Sequence, residues 1–221
     1  MVVKERYFTP ASLEQVALEM MQTLGARRRA MPFRPERSAL LILDMQAYFL
    51  DAASHAYVPS AEAILPSLQE LARVFATRGR PVIYTQHLNT AQDAGMMARW
   101  WTDLITADHP SGAIVPAFDV SAGVVLQKTQ YDAFYGTALE GILRQRAVTQ
   151  VVTCGVMTHL CCETTARSAF VRGFEVYFPI DGTATYNRHF HLSSLRNLAH
   201  GFAAPVLMRD VLDAVRGAGE D

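Results

Sequence analysis

Short, continuous apolar runs punctuate this chain, and between them apolar residues recur three and four apart. The runs are ALLIL (39–43), PVIYT (81–85), VVLQ (124–127), QVVTC (150–154), EVYFPI (175–180) and PVLM (205–208). They are rich in β-branched and aromatic residues and lack polar alternation, the pattern of strands buried on both faces. Between them SAEAILPSLQELARVFATRG, TALEGILRQR, THLCCETTARSAFVRG and HLSSLRNLAHGF carry helical spacing. Strand and helix alternating at these intervals predict βαβ units and a parallel sheet. No repeat, low-complexity tract or Gly/Ser-rich linker interrupts the pattern, so one α/β domain is predicted over 32–221, after a helical extension at 1–31. In that extension Leu13, Val16, Ala17, Met20, Met21 and Leu24 share one face, with Ser12 as cap and Gly25 as stop. Such a helix docks either on its own domain or on a second subunit. Arg27, Arg28 and Arg29 read as a solvated positive face, since Glu14 and Glu19 argue against a transit peptide.

Composition narrows the class. Half of the 221 residues are hydrophobic and 19% are charged, which allows an ample core. A net charge of −1 leaves no electrostatic footprint for nucleic acid or an acidic membrane. No apolar run approaches the ~20 residues of a membrane span. The opening MVVKERYFTP lacks a signal peptide's apolar stretch, so a cytoplasmic protein is expected. Three cysteines, Cys154, Cys161 and Cys162, offer neither a disulfide framework nor a CxxC, and no Cys/His spacing suits structural zinc. The expectation is free thiols, no metal and no cofactor.

In a doubly wound sheet, ligands bind beyond the carboxyl ends of the strands. Asp44 stands after ALLIL, where lost solvation raises a carboxylate's pKa and makes it a base; capping the next turn is the plainer alternative. Lys128 emerges after VVLQ and needs a carboxylate or a bound anion, so a structural ion pair is equally open. After QVVTC, Thr158 is a suitable N-cap, putting His159, Leu160 and Cys161 at the first three helical positions. A thiol there feels the helix dipole and free N–H groups, which lower its pKa and supply donors for an oxyanion. Cys162 lies ~100° further round the helix, on a buried face expected to hold Leu160, Ala166, Phe170 and Val171. Cys162 and Cys154 therefore read as packing and Cys161 as the nucleophile. Together the three polar residues make a thiol, a base and a cation to hold them.

The segments ALLILDMQAYF, VLQKTQYDAFYGTALEGIL and VTCGVMTHLCCETTARSAFVRGFEVYFPIDGTAT resemble, in order and spacing, three signature blocks of the isochorismatase-like hydrolases, or cysteine hydrolases. With HLSSLRNLAHGFAAPVL, the likeness runs over about residues 33 to 210. The resemblance implies a three-layer α/β/α fold with a six-stranded parallel sheet of order 3-2-1-4-5-6. It implies a catalytic Asp44, Lys128 and Cys161, and a cis peptide between Val156 and Met157 that turns the Met157 N–H beside that of Cys161 as an oxyanion hole. It also implies a thioester route, with Asp44 moving the protons, and a homodimer or homotetramer.

Two departures refine the expectation. Nicotinamidases of this superfamily hold a metal through a D-x-H pattern after the second strand, whereas YTQHLNTAQDAG has His87 alone. The enol-ether-cleaving isochorismatases carry glycine in a GVYAHIGC-like stretch where GVMTHLCC has Cys161. Keeping a thiol favours cleavage of a C–N bond in a small amide, ureide or carbamoyl compound. An enol-ether hydrolase using Asp44 as acid, and a non-catalytic α/β binding protein, are the alternatives. Substrate contacts are expected from His87, Trp100, Tyr131, Tyr135 and His159. Tyr48 and Trp101 are further candidates, Phe49 and Phe134 belong more with the core, and one of the paired tryptophans turns inward. The long stretch 88–112 reads as a lid or a subunit contact.

Overall fold

Each apolar run is a strand in the computed structural model of the protein, which describes residues 3–25 and 32–218. The strands are β1 (Ser38–Leu43), β2 (Val82–His87), β3 (Val124–Lys128), β4 (Gln150–Val156), β5 (Glu175–Pro179) and β7 (Ala204–Val206), with a two-residue β6 (Thr183–Ala184) that the pattern did not predict. The sheet runs β3-β2-β1-β4-β5-β7, and β6 pairs with the end of β4. Every strand pairing is parallel. β1 and β4 lie at the centre and are buried at every position, which is why their sequences carry no polar alternation.

The helices are α1 (Leu13–Thr23), α2 (Ala47–Leu50), α3 (Ala61–Thr77), α4 (Met97–Trp100), α5 (Leu139–Gln145), α6 (Glu163–Val171), α7 (Arg188–Gly201) and α8 (Met208–Gly217). α3 packs on α8 in one layer and α6 on α7 in the other, giving the three-layer arrangement. The N-terminal segment docks on its own chain. Glu5 N–H donates to the Tyr186 carbonyl at 2.8 Å, Tyr7 Oη pairs with His191 Nδ1 at 2.8 Å, and Phe8, Ala17 and Met20 are fully buried. Ser12 stands at the start of α1, but its hydroxyl accepts from Thr9 N–H at 3.2 Å instead of capping the helix. Gly25 has φ +71°, the left-handed conformation of a helix stop. Arg27, Arg28 and Arg29 lie outside the described residues. Among the described residues no helix is long and apolar enough to cross a membrane.

The expected buried face of α6 is corrected. Ala166 is buried, but Phe170 is 48% and Val171 77% exposed. The five residues before the helix form a π turn, Thr158–Cys162, wider than an α turn. The extra residue rotates α6 relative to a helix continued straight from Thr158.

Candidate functional site

β1 and β4 neighbour each other where the strand order reverses, and their carboxyl ends open a crevice there. The two strands approach closely at Gly155, whose φ is +109°; a Cβ at this position would lie 2.1 Å from the Leu43 carbonyl oxygen. One residue beyond β1, Asp44 (φ +52°) turns out of the sheet and is fully buried. Its N–H donates to Thr85 Oγ1 at 3.0 Å, and that hydroxyl donates back to Asp44 Oδ1 at 2.6 Å. Lys128, the last residue of β3, lies in register with His87, the last residue of β2. Its Nζ stands 2.8 Å from Asp44 Oδ2, with both side chains wholly excluded from solvent. It donates to the Gln130 carbonyl at 2.9 Å and to Cys161 Sγ at 3.4 Å. The contact with Oδ2 is ionic and off the line of a hydrogen bond, so that oxygen has no directed donor among the described residues.

Cys161 comes from the π turn after β4, and the Val156–Met157 peptide before it is cis. Met157, extended at φ −90° and ψ 142°, is the cap, since its carbonyl accepts from Leu160 N–H at 3.0 Å and Cys162 N–H at 3.3 Å. Thr158 is therefore the first residue of the turn and not its cap, and its buried hydroxyl has no hydrogen-bond partner among the described residues. Cys161 borders a cavity, whereas Cys154 and Cys162 are fully buried in the core.

The protonation states differ from those expected of isolated residues. Burial pushes Asp44 up, but the Lys128 ammonium, with His87 and the Cys161 thiol, reverses this and holds the carboxyl below its usual range. Burial pushes Lys128 down, and the charge of Asp44 overcomes it to leave the ammonium above its usual value. The Cys161 thiol is raised, first by burial and then by the neighbouring Asp44 charge, with Lys128 opposing. The expected lowering by the helix end is thus outweighed. At neutral pH the resting cluster is a carboxylate, an ammonium and a protonated thiol.

His87 is lowered to about 4, by burial first and then by Lys128. Its Nε2 pairs with Asn89 Oδ1 at 2.8 Å and its Nδ1 faces Lys128 Nζ at 3.4 Å. Those partners assign the proton to Nε2 and the lone pair to Nδ1. Asn89 Nδ2 in turn donates to the Thr129 carbonyl at 3.0 Å. Gln46, fully buried, clamps the His87 backbone, accepting from its N–H at 2.8 Å and donating to its carbonyl at 3.1 Å. Neither Asn89, Gln46 nor Thr85 was found by sequence reasoning, because single amides and hydroxyls near strand ends carry no motif.

The cavity is small and partly open to solvent, and His87, Tyr131, Met157 and Cys161 are on its wall. The 88–112 stretch contributes Met97, Trp101, Asp103, Leu104 and Ile105 to the wall. Trp101 is the tryptophan that turns inward, its Nε1 donating to Tyr131 Oη at 2.8 Å. Trp100, expected at the pocket, is 76% exposed and lies outside the wall, as does Tyr135 at 62%. Both sit in or beside short irregular segments, where no periodicity sets side-chain direction. His159 is also displaced from the cavity: it turns behind the π turn, with Nδ1 2.5 Å from Thr185 Oγ1 and its ring stacked on Phe190. Burial lowers it to about 4.

The donor set does not suit a metal of the kind held in nicotinamidases. Both ring nitrogens of His87 are engaged, one against an ammonium, and no group of three or more His, Cys, Asp or Glu among the described residues is arranged to hold an ion.

Fold and site define a doubly wound α/β protein whose thiol, carboxylate and ammonium meet at the switch point of the sheet. The isochorismatase domain family matches residues 38–210. The chain is 36% identical over 171 residues to nicotinamidase 3 of Arabidopsis thaliana, covering 75% of this chain and 82% of the relative. It is 28% identical over 205 residues to enterobactin synthase component B of Escherichia coli K12, covering 91% of this chain and 72% of that protein. The crystal structure of a cysteine hydrolase from Pseudomonas syringae pv. phaseolicola 1448A superposes with a TM-score of 0.82 at 26% identity, over 88% of this chain and 99% of the other. The chain belongs to the isochorismatase family of hydrolases.

Proposed function

We propose that the protein hydrolyses a C–N bond in a small amide, ureide or carbamoyl compound, without a metal, through a thioester on Cys161. The observation that carries this reading is the Cys161 thiol on a cavity wall, 3.4 Å from an ammonium that is itself 2.8 Å from a buried carboxylate. Asp44 Oδ2 takes the thiol proton as Sγ attacks the carbonyl carbon, and Lys128 steadies the developing thiolate. The backbone N–H groups of Met157 and Cys161 receive the oxyanion. As the C–N bond breaks, Asp44 gives the proton to the departing nitrogen, leaving an acyl thioester and free ammonia or amine. Water then attacks the thioester; Asp44 takes its proton and returns it to Sγ, releasing a carboxylic or carbamic acid.

The acid-catalysed enol-ether reading needs Asp44 protonated at rest, and the Lys128 ammonium opposes that. A binding protein without catalysis has no use for the mutual contacts of the three side chains. The likeness to a protein named a nicotinamidase puts a carboxamide among the first compounds to try. The test is ammonia release across a panel of amides and ureides by the native protein and by Cys161→Ala. The variant is expected to lose on the order of 10³-fold or more in kcat/KM. Turnover that survives in Cys161→Ala would overturn the thioester route.

A further inference from the structure

The cavity that the Cys161 thiol borders also has a charged group on its wall. Among its lining residues Asp103 is the sole acid and there is no lysine or arginine. Asp103 Oδ1 accepts from Tyr48 Oη and pairs with His55 Nε2 at 2.6 Å. Oδ2 is differently placed: His109 Nε2 lies 3.9 Å from it, beyond hydrogen-bond reach. The side chain is 46% exposed and lines the cavity, so a fixed carboxylate leaves one acceptor oxygen open there. The hydrogen bonds from Tyr48 and His55 outweigh burial and hold this carboxyl below its usual range, so it is anionic at neutral pH. Beside the thiol, the Asp44–Lys128 pair cancels its own charge and His87 is neutral. The rest of the wall is largely apolar, with Met97, Trp101 and Leu104.

We propose that Asp103 is a specificity residue that selects substrates carrying an ammonium or other N–H donor at the end distal to the scissile carbonyl, and disfavours those carrying a distal carboxylate. The open Oδ2 is the acceptor and the apolar wall holds the connecting segment. The inference rests on the amide-hydrolase reading for the word substrate, but the selectivity itself is a property of the cavity. A dianionic compound meets no uncompensated cation anywhere on this wall.

Cys161 reports on this field whatever the natural substrate is. The full-length protein is treated with three thiol reagents of one chemistry: 2-aminoethyl, methyl and 2-sulfonatoethyl methanethiosulfonate, which are cationic, neutral and anionic. Site-resolved mass spectrometry gives the rate at Cys161. The cationic reagent is expected to react about tenfold or more faster than the anionic one. Asp103→Asn brings that ratio near unity, and Asp103→Glu, which keeps the charge, restores it. Equal rates in the native protein, a faster anionic reagent, a ratio unmoved by Asp103→Asn, or no reaction at Cys161 with any reagent would each overturn the proposal. A cationic preference with no ammonia released from any amide would leave the cavity's selectivity standing and reject the amide-hydrolase reading instead.

Discussion

Replacing Lys128 by methionine separates the two roles of the buried pair. At 2.8 Å, and with an effective dielectric of about 20, the Asp44–Lys128 attraction is about 6 kcal/mol before the cost of desolvating both ions. Lys128→Met removes one partner and leaves a fully buried carboxylate, a change that costs about 3–5 kcal/mol when the remaining ion stays charged. Asp44 need not stay charged. Without the ammonium, burial dominates and its pKa rises above the ordinary carboxylate value. In the native protein Asp44 is lowered, so its contribution is present above its ordinary pKa and lost as pH falls through the folded value. Lys128 is raised, so its contribution is present below its ordinary pKa and lost as pH rises through the folded value. The pair therefore contributes fully across the neutral range. In Lys128→Met the sign for Asp44 inverts, and its stability is lost as pH rises through the new folded pKa. Urea unfolding of both proteins at pH 5 and pH 8 should show a deficit that is small at the lower pH and approaches about 3–5 kcal/mol at the higher. The acid limb of kcat/KM should move upward as well, because Asp44 must lose its proton before it can accept one from Cys161. A deficit equal at both pH values, or an unmoved acid limb, would refute this account of the pair.

Two further outcomes test the frame around the site. Gly155→Ala forces a Cβ to within 2.1 Å of the Leu43 carbonyl oxygen at a φ of +109°, and should destabilise by about 4 kcal/mol or more, read as loss of soluble protein or a large drop in thermal midpoint. Asp181, whose Oδ1 accepts from Met208 N–H at the start of α8, is raised to about 6 by burial. Stability from such a group is full below its ordinary pKa and lost as pH rises through about 6, a swing of at most about 3 kcal/mol. Asp181→Asn keeps the acceptor without the charge. It should raise the thermal midpoint at pH 8 and not at pH 4, and an equal shift at both would show that the charge is not the cause.

The strands were legible because burial on both faces leaves a continuous apolar run, and the polar residue ending each run marks a carboxyl end of the sheet. Asp44, Lys128 and Cys161 were singled out as candidates in this way, without knowledge of which strands adjoin, and the structure brings the three side chains together. Three kinds of feature were not legible. The π turn has no sequence signature; it moved the cap from Thr158 to Met157 and rotated Phe170 and Val171 outward. A one-turn helix such as α4 and the irregular segments beside it have no period, which is why Trp100 and Tyr135 were expected at a cavity that Trp101 and Asp103 line. Protonation depends on neighbours far apart in the chain. Read alone, Asp44 should rise and Cys161 should fall; instead Asp44 falls because the Lys128 ammonium faces it, and Cys161 rises because burial and the Asp44 charge outweigh Lys128.

That reversal bears on how a protonated thiol can serve as a nucleophile. Moving the proton from Sγ to Oδ2 exchanges one anion for another within the same enclosed volume, and the net charge of the cluster is unchanged. Lys128 Nζ lies 2.8 Å from Oδ2 and 3.4 Å from Sγ, so the ammonium can follow the negative charge from oxygen to sulfur by a small adjustment of one side chain. In the proposed route a neutral His87 helps, since a second cation would bind the thiolate too firmly for it to attack. A site of this kind needs no preformed thiolate and no solvent to screen one. It needs an electrophilic centre close enough to take up the electron pair as the proton leaves, and the thiol stays protonated until one is bound.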